Sequence, residues 1–210
     1  MKVTEVTTQK NNQHRVSVFV DNKYAFSLDE TDAVLMKIKP GRELTEADIE
    51  RCIMECNYTK ARDYSFLRLS GKPMSQKQLE DKLAEKGYDK AVVTEVINEL
   101  TDLGYINDYD YAALFLEHCR SKMWGKKKVR YEMKQKGLSD EVINECLSDY
   151  EDDSIDDEMT ELIISKYGSE DLTDMKIKAR VTRYFASRGF DFSKIDSALR
   201  RAIEQIENGE

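Results

Sequence analysis

The sequence has few of the residues that make tight turns. Nine glycines and two prolines occur in 210 residues, whereas roughly 12% of an average protein is glycine or proline. Hydrophobic residues make up 40% of the chain, too many for a disordered polymer, and charged residues make up 35%. We therefore expect a thin folded molecule with a large surface, built from helices with short connections.

Signals for secretion and for membrane insertion are missing. Residues 1–10 contain no apolar signal-peptide core, and no apolar run approaches the roughly 18 to 20 residues that cross a bilayer. With no sign of secretion, the four cysteines are expected to stay reduced. The sequence predicts a soluble cytoplasmic protein without membrane contact.

Recognisable catalytic and cofactor-binding motifs are also missing. His14 and His118 are the two histidines, and neither belongs to a nucleophile and base arrangement. Cys52 and Cys56 stand one helical turn apart, but no second Cys/His pair occurs at zinc spacing. No glycine-rich phosphate loop is present. We expect no enzyme activity, no metal and no cofactor.

The N-terminal region has the period-two pattern of β-structure. Residues 15–28 alternate between apolar and polar, which predicts a β-hairpin with a turn at Asp21-Asn22. Residues 3–8 could add a third strand, and a short helix over 32–37 could cover the sheet. The expected inward positions of the hairpin are Val16, Val18, Val20, Tyr24, Phe26 and Leu28.

An internal repeat dominates the rest of the chain. Gly87, Gly137 and Gly189 stand at intervals of 50 and 52 residues. Apolar residues occupy the positions eight and four before each glycine and six and ten after it: Leu79, Leu83, Val93, Ile97, Val129, Met133, Ile143, Leu147, Val181, Phe185, Ile195 and Leu199.

Each repeated position has a physical role. The residues before the glycine form one stripe of a helix, and the glycine ends that helix in the left-handed conformation. Asp89, Ser139 and Asp191, two positions later, are predicted N-caps of a second helix. A further helix precedes each pair, over 61–69, 111–119 and 159–167. Two capping boxes are also predicted, Thr45 with Asp48 and Ser75 with Gln78.

The predicted fold is mainly α. Three tandem three-helix repeats of helix-turn-helix type form an elongated curved array, because each repeat is too small to bury a core alone. A small N-terminal β-hairpin with short helices precedes them. The predicted boundaries are 1–56 for that segment, then 57–108, 109–152 and 153–210 for the three repeats.

Charge is unevenly distributed around a net charge of −8. Residues 120–136 carry eight basic side chains and one acidic one, residues 148–161 carry eight acidic side chains and no basic one, and basic residues return over 176–188. The candidate binding residues are Arg120, Lys122, Gly125, Lys126, Lys127, Lys128, Arg130, Lys134, Lys176, Lys178, Arg180 and Arg183.

Two interpretations of the basic segment remain open. Lys126 to Lys128 are predicted in the first turn of a helix, where the macrodipole disfavours cations, so a stabilising role is poorly supported and a binding role is favoured. The alternative is a solvated face balanced by the acidic segment. Trp124, the single tryptophan, either packs between repeats or anchors a partner.

Several segments resemble the RecX family of regulators of the RecA recombinase. The most specific are Gly104-Tyr-Ile-Asn-Asp108 and Gly125-Lys-Lys-Lys-Val-Arg130, and residues 61–69 and 75–88 also match. The resemblance is good over about residues 61–147. The third repeat matches in outline, and Asn107 stands where an acidic residue is common in the family.

The resemblance implies a fold of three three-helix modules without catalytic activity. Such a protein binds along the groove of a RecA filament on single-stranded DNA, limits filament growth, and damps strand exchange, ATP hydrolysis and the coprotease activity that drives the SOS response. It would act in recombination and DNA repair as a monomer. From the family we carry over only residues 125–130 as a binding surface.

Two other functions compete with this one. A DNA-binding transcription regulator would use the same short turns in a helix-turn-helix, but acidic residues such as Asp140 and Glu141 at the start of a second helix suit a phosphate-lined groove poorly. A plain protein-interaction scaffold would leave both charged segments solvated.

Overall fold

The computed structural model describes residues 1–10, 12–148, 150 and 153–209. Within these residues the chain is mainly helical with a small N-terminal sheet, as predicted. The strands are β1 (Val3–Gln9), β2 (Asn12–Val20) and β3 (Lys23–Asp29). The helices are α1 (Glu30–Leu35), α2 (Glu46–Gly71), α3 (Gln76–Glu85), α4 (Lys90–Asp102), α5 (Asp108–Ser121), α6 (Lys126–Gln135), α7 (Asp140–Cys146), α8 (Asp153–Tyr167), α9 (Met175–Ala186) and α10 (Phe192–Asn208).

The sheet is antiparallel in the order β1-β2-β3, so the third strand is present. Asp21 and Asn22 have φ values of 48° and 62°, which is the pair of left-handed residues that a two-residue hairpin turn requires. Tyr24 was wrongly placed on the inner face. A register shift next to Phe19 turns Tyr24 outward, where it is 57% exposed with its ring 6.0 Å from that of Phe19.

Helix α2 begins at the predicted capping box. The Thr45 side chain accepts a hydrogen bond from the Asp48 amide, and the Asp48 carboxylate accepts one from the Thr45 amide. The helix then continues for 26 residues, since no glycine or proline interrupts it before Gly71. The helix predicted over 61–69 is therefore the last part of α2, and the predicted division between residues 56 and 57 lies within α2.

The chain divides into two compact units. The first comprises residues 1–73 and 79–106, and the second comprises residues 74–78 and those from Asn107 onward. The first unit has one core beneath the sheet, around Val18 and Leu28, and another around Leu79 and Leu100 between the later helices. The second unit has a single continuous core. None of the helices in the described residues is both long and apolar enough to cross a membrane.

A partly buried polar contact joins α2 to α4 in the first unit. The Tyr58 hydroxyl donates to a Glu99 carboxylate oxygen at 2.6 Å, and the Arg62 guanidinium lies 3.6 Å from the other oxygen. Burial and then the hydrogen bond to Glu99 raise the pKa of Tyr58 to about 12 from 10.0. The neutral phenol is therefore the form that the folded state favours.

This contact predicts a pH dependence at the alkaline end. Because the folded pKa of Tyr58 is raised, its contribution to stability is complete below pH 10 and is lost as pH rises towards 12. Absorbance at 295 nm, which reports ionised tyrosine, is measured from pH 9 to 13 for the wild type and for Tyr58→Phe. The difference between the two curves should show one tyrosine titrating near pH 12. Glu99→Gln should bring that titration back towards 10. A difference curve centred at 10 would contradict the assignment.

The three predicted helix pairs are α3-α4, α6-α7 and α9-α10. The glycines between them have φ values of 83°, 79° and 89°. All twelve repeated apolar positions are buried. The amide after each glycine donates a hydrogen bond to the carbonyl five residues earlier, which is the bond that defines a Schellman motif. The three bonds are Tyr88 to Leu83, Leu138 to Met133 and Phe190 to Phe185.

The predicted N-caps differ in their contacts. Ser139 accepts a hydrogen bond from the Val142 amide, and the Ser75 and Gln78 capping box is formed as predicted. Asp89 and Asp191 occupy the N-cap positions, but their side chains make no capping hydrogen bond. The Asp191 carboxylate instead forms an ion pair with Lys127, which connects α10 to the first turn of α6.

A similar junction occurs twice in the second unit, where the start of one helix rests on a glycine turn. The Ser75 hydroxyl donates to the Lys136 carbonyl at 2.5 Å, and a Cβ added to Gly137 would lie 2.3 Å from the Lys77 side chain. Likewise, a Cβ added to Gly189 would lie 2.4 Å from the Lys128 amide nitrogen. Gly137 and Gly189 therefore need to be glycine for two reasons: their φ values are positive, and neighbouring atoms leave no room for a Cβ.

Candidate interaction surface

The basic turn predicted at residues 125–130 is built where α6 meets the Gly189 turn. The Gly125 amide donates to the Arg188 carbonyl at 2.8 Å, and the Lys127 amide donates to the Gly189 carbonyl at 3.3 Å. Gly125 is the N-cap of α6, so Lys126 to Lys128 form its first turn as predicted. These bonds satisfy two amides that a helix start normally leaves without a partner.

The surroundings of these lysines reduce the electrostatic cost of placing cations at the start of α6. The positive end of the α6 dipole by itself disfavours cations. However, the Arg188 and Gly189 carbonyls, just after the C-terminus of α9, accept hydrogen bonds from the first turn of α6. Because the C-terminal end of a helix favours cations, these carbonyls offset part of the repulsion. Lys127 also pairs with Asp191. The three lysines therefore have a partial stabilising role that analysis of α6 alone had missed.

Trp124 lies beside this turn with two lysines over its ring. The Lys128 ammonium is 4.4 Å from the ring centroid and that of Lys122 is 5.2 Å away. The indole is half-buried, and its backbone carbonyl accepts a hydrogen bond from the Tyr150 hydroxyl at 2.7 Å. Trp124 is thus partly packed and partly accessible. We call Lys122, Trp124, Lys126, Lys127, Lys128 and Arg188 the junction surface.

Three other predicted residues of this segment bind within their own module. Arg130 donates to the Asn144 side chain at 2.8 Å, and Lys134 pairs with Asp140 at 2.9 Å. The hydrogen bond from Lys134 lowers the pKa of Asp140 below its usual value. The Arg120 guanidinium lies 5.6 Å from the centroid of the Tyr150 ring. Arg130 and Lys134 are consequently held along the α6-α7 pair and away from the Trp124 ring.

The four predicted cations of α9 do not form one patch. Arg180 lies 5.1 Å from the Tyr167 ring and pairs with Glu170. Lys178 and Arg183 instead line a groove between α9 and α10. Lys176 is exposed near the start of α9. The sequence showed the positive charge of this segment, but the helical phase separates its side chains.

A cluster of cations surrounds Tyr184, and the sequence pattern did not predict it. The Arg188 guanidinium lies 3.7 Å from the centroid of its ring, and the Lys166 ammonium lies 4.2 Å from it. Arg188 also provides the carbonyl that binds the Gly125 amide, so this cluster adjoins the junction surface. Lys166 comes from α8, and nothing in the local sequence pairs it with a ring 18 positions later.

Two described residues of the acidic segment pair with α10. Asp156 lies 3.1 Å from Lys194 and 3.7 Å from Arg201, and Asp157 lies 3.3 Å from Arg201. Of the other predicted acidic residues, Asp149, Glu151 and Asp152 lie outside the described residues. The contacts of Asp156 and Asp157 stabilise the third module.

The surroundings of three of the four cysteines favour protonated thiols. Burial raises the pKa of Cys119 to about 11 and also raises the pKa values of Cys52 and Cys146. Protonated thiols are poor nucleophiles and poor metal ligands. Among the described residues, no three His, Cys, Asp or Glu side chains converge as metal ligands. The geometry supports binding through cations and aromatic rings.

Comparison with known proteins gives a consistent result. Three family profiles match: Regulatory protein RecX N-terminal domain over residues 1–45, RecX first three-helix domain over 61–100, and RecX second three-helix domain over 107–147. The match over 1–45 extends the resemblance into the hairpin region, beyond the segments that sequence analysis had identified.

Curated relatives carry the same description. Regulatory protein RecX of Bacillus subtilis strain 168 is 33% identical over 214 residues, covering 98% of this chain and 77% of the relative. The Regulatory protein RecX of Clostridium tetani is 29% identical, covering 96% of this chain and 94% of the relative.

Solved structures show a similar fold. A crystal structure of regulatory protein RecX has a TM-score of 0.70 at 21% identity, covering 93% of this chain and 97% of that chain. The crystal structure of RecX from Lactobacillus salivarius has a TM-score of 0.62 at 22% identity, covering 70% of this chain and 97% of that chain.

Proposed function

Because this chain belongs to the RecX family of regulatory proteins, we propose that it is a non-enzymatic inhibitor of the RecA recombinase. It binds in the groove of the RecA filament on single-stranded DNA and limits filament growth. Strand exchange, ATP hydrolysis and coprotease activity decrease as a result. The protein acts in the cytoplasm as a monomer, without a cofactor, in recombination, DNA repair and the SOS response.

The junction surface is the observation that carries this proposal. Its lysines and its half-buried indole are fixed by backbone hydrogen bonds between α6 and the Gly189 turn. Cations beside aromatic rings suit phosphates and unstacked bases, and they also suit acidic protein side chains. A filament of protein on single-stranded DNA offers all three.

The repeated helix pairs provide the second argument. A filament groove presents the same surface at regular intervals, and a protein with several similar modules can contact more than one subunit. Linked weak contacts then add up to tight binding through effective concentration. Such binding would weaken as ionic strength rises, because screening acts on every charged contact.

The transcription-regulator alternative has less support. In the α6-α7 pair the second helix begins with Asp140 and Glu141, and Asp140 is already paired with Lys134. In the α3-α4 pair, Glu99 of the second helix accepts a hydrogen bond from Tyr58. Acidic second helices would be repelled by the phosphates that border the major groove.

The proposal is tested with purified RecA on single-stranded DNA. Strand exchange and DNA-dependent ATP hydrolysis are measured at about 150 mM salt with the protein equimolar to RecA. Both rates should fall, and the loss should diminish when the salt concentration is doubled. Unchanged rates at equimolar protein would contradict the proposal. A tight, sequence-specific duplex found in a screen of genomic fragments would favour the transcription regulator.

A further inference from the structure

The third module has an open apolar groove between α9 and α10. Its volume is about 680 Å³, within the range of roughly 300–1,000 Å³ that ligand pockets have. Ala179, Ala186 and Leu199 are among its lining residues. Met175 and Phe192 also line it, and these two large apolar side chains are 79% and 70% exposed. Two exposed apolar side chains beside one groove make this surface a candidate interaction site.

The second module has a pair of opposite charges at the equivalent positions. Lys134 stands three positions before Gly137, and Asp140 stands three positions after it. The two side chains form an ion pair of 2.9 Å between α6 and α7. The third module has Ala186 and Phe192 at these two positions. In the third module a small residue on one helix and an exposed aromatic ring on the other stand where the second module has this ion pair.

Positive charge at the rim is only partly neutralised, because the Lys178 ammonium interacts with the nearby Asp171 carboxylate. Lys178 and Arg183 line the groove, and neither forms an ion pair within residues 1–10, 12–148, 150 and 153–209. The one acidic lining residue, Asp196, pairs with Arg200 at 2.5 Å. A ligand that fits this groove must offer a bulky apolar group for the floor and negative charge for the rim.

We propose that the α9-α10 groove docks an acidic amphipathic segment of a partner protein. A helical segment places a bulky aliphatic or aromatic side chain over Ala179 and Ala186, and its carboxylates face Lys178 and Arg183. Grooves between two helices commonly bind amphipathic helices in this way. The groove lies on the α10 side of α9, whereas Arg180 faces α8, so this site is separate from the cluster around Tyr184.

The probe is a fluorescein-labelled peptide of 18 residues with leucine at one helical face and glutamate elsewhere. Its binding to the full chain is measured by fluorescence anisotropy at about 100 mM salt. Two comparison peptides have serine in place of leucine, or lysine in place of glutamate. We expect micromolar affinity for the first peptide and at least tenfold weaker binding of the other two.

A double variant closes the groove with the bridge of the second module. Ala186→Lys with Phe192→Asp recreates the positions of Lys134 and Asp140, and it should weaken peptide binding at least tenfold. The control places the same bridge at the equivalent positions of the first module, Ala84→Lys with Lys90→Asp. It lowers the net charge by one, which the groove variant does not, and it should leave binding nearly unchanged. Circular dichroism of both variants checks that the helices are retained.

Several results would overturn the proposal. One is that the wild type does not bind the acidic peptide at protein concentrations up to about 1 mM. Another is that the groove-closing variant binds the peptide as well as the wild type does. Concentration-dependent dimers in sedimentation velocity that the same variant abolishes would assign the groove to a second copy. Displacement of the peptide by oligo-dT would assign it to nucleic acid. The assay contains neither RecA nor DNA, so its failure is distinguishable from failure of the proposed function.

Discussion

Replacing Gly189 with alanine is expected to destabilise the second unit more than the same change at any other repeat glycine. The residue has a φ of 89°, and a Cβ there would lie 2.4 Å from the backbone nitrogen of Lys128. A left-handed alanine costs about 1–2 kcal/mol, and overpacking against backbone costs about 1–3 kcal/mol more. The free energy of unfolding should therefore fall by about 2–5 kcal/mol, measured by urea denaturation with far-UV circular dichroism.

Two other glycines separate the contributions of strain and collision. Gly87 has nearly the same φ, 83°, with nothing within 4 Å of an added Cβ, so Gly87→Ala should show the conformational cost alone. Gly125 has an ordinary φ of −77°, but its added Cβ would lie 2.6 Å from the Gly189 carbonyl carbon. Gly125→Ala should show the collision alone. Equal destabilisation by Gly87→Ala and Gly189→Ala would contradict the close packing of this junction.

Under the proposed function, charge reversal on the junction surface is expected to weaken inhibition of the recombinase strongly. The variant is Lys122→Glu, Lys126→Glu and Lys128→Glu, which spares Lys127 because that residue pairs with Asp191 and supports the fold. At about 1 kcal/mol or more for each charge-assisted contact, binding to the filament should weaken by about 3 kcal/mol, or roughly 100-fold. The measurement is the protein concentration that halves the rate of strand exchange.

The matched control reverses three exposed lysines of the first unit, Lys39, Lys72 and Lys90. Net charge changes by the same amount, so any general electrostatic effect on the filament is reproduced. This control should inhibit strand exchange as well as the wild type does. Equal inhibition by both variants and the wild type would show that the junction surface takes no part in binding.

The repeated helix pairs could be predicted because their signals are local. A left-handed glycine, the apolar stripe before it and the polar N-cap after it lie within about 20 residues, and each acts through bonds or contacts close in sequence. For the same reason the capping boxes at Thr45 and Ser75 were found. The length of α2 was missed because the two halves were assigned separately, although no residue between them breaks a helix.

The contacts of the candidate binding residues were only partly predictable. The sequence located the basic turn of α6, because eight cations in one segment are visible without coordinates. It did not show that Lys134 and Arg130 are bound to α7, or that Arg180 faces Tyr167 while Arg183 faces α10. These contacts depend on how each helix is rotated about its axis relative to its neighbour. The hydrophobic periodicity and the composition of the sequence do not specify that rotation.

The sequence by itself determined the secondary structure, the three glycine turns and the position of the positive charge, since these follow from backbone preference and hydrophobic period. Only the tertiary structure decided which cations meet Trp124 and Tyr184 and which cleft stays open. Such contacts join residues that are distant along the chain, as when the Gly125 amide binds the Arg188 carbonyl. Their geometry is set by packing between helices, which depends on many side chains from distant parts of the sequence at once.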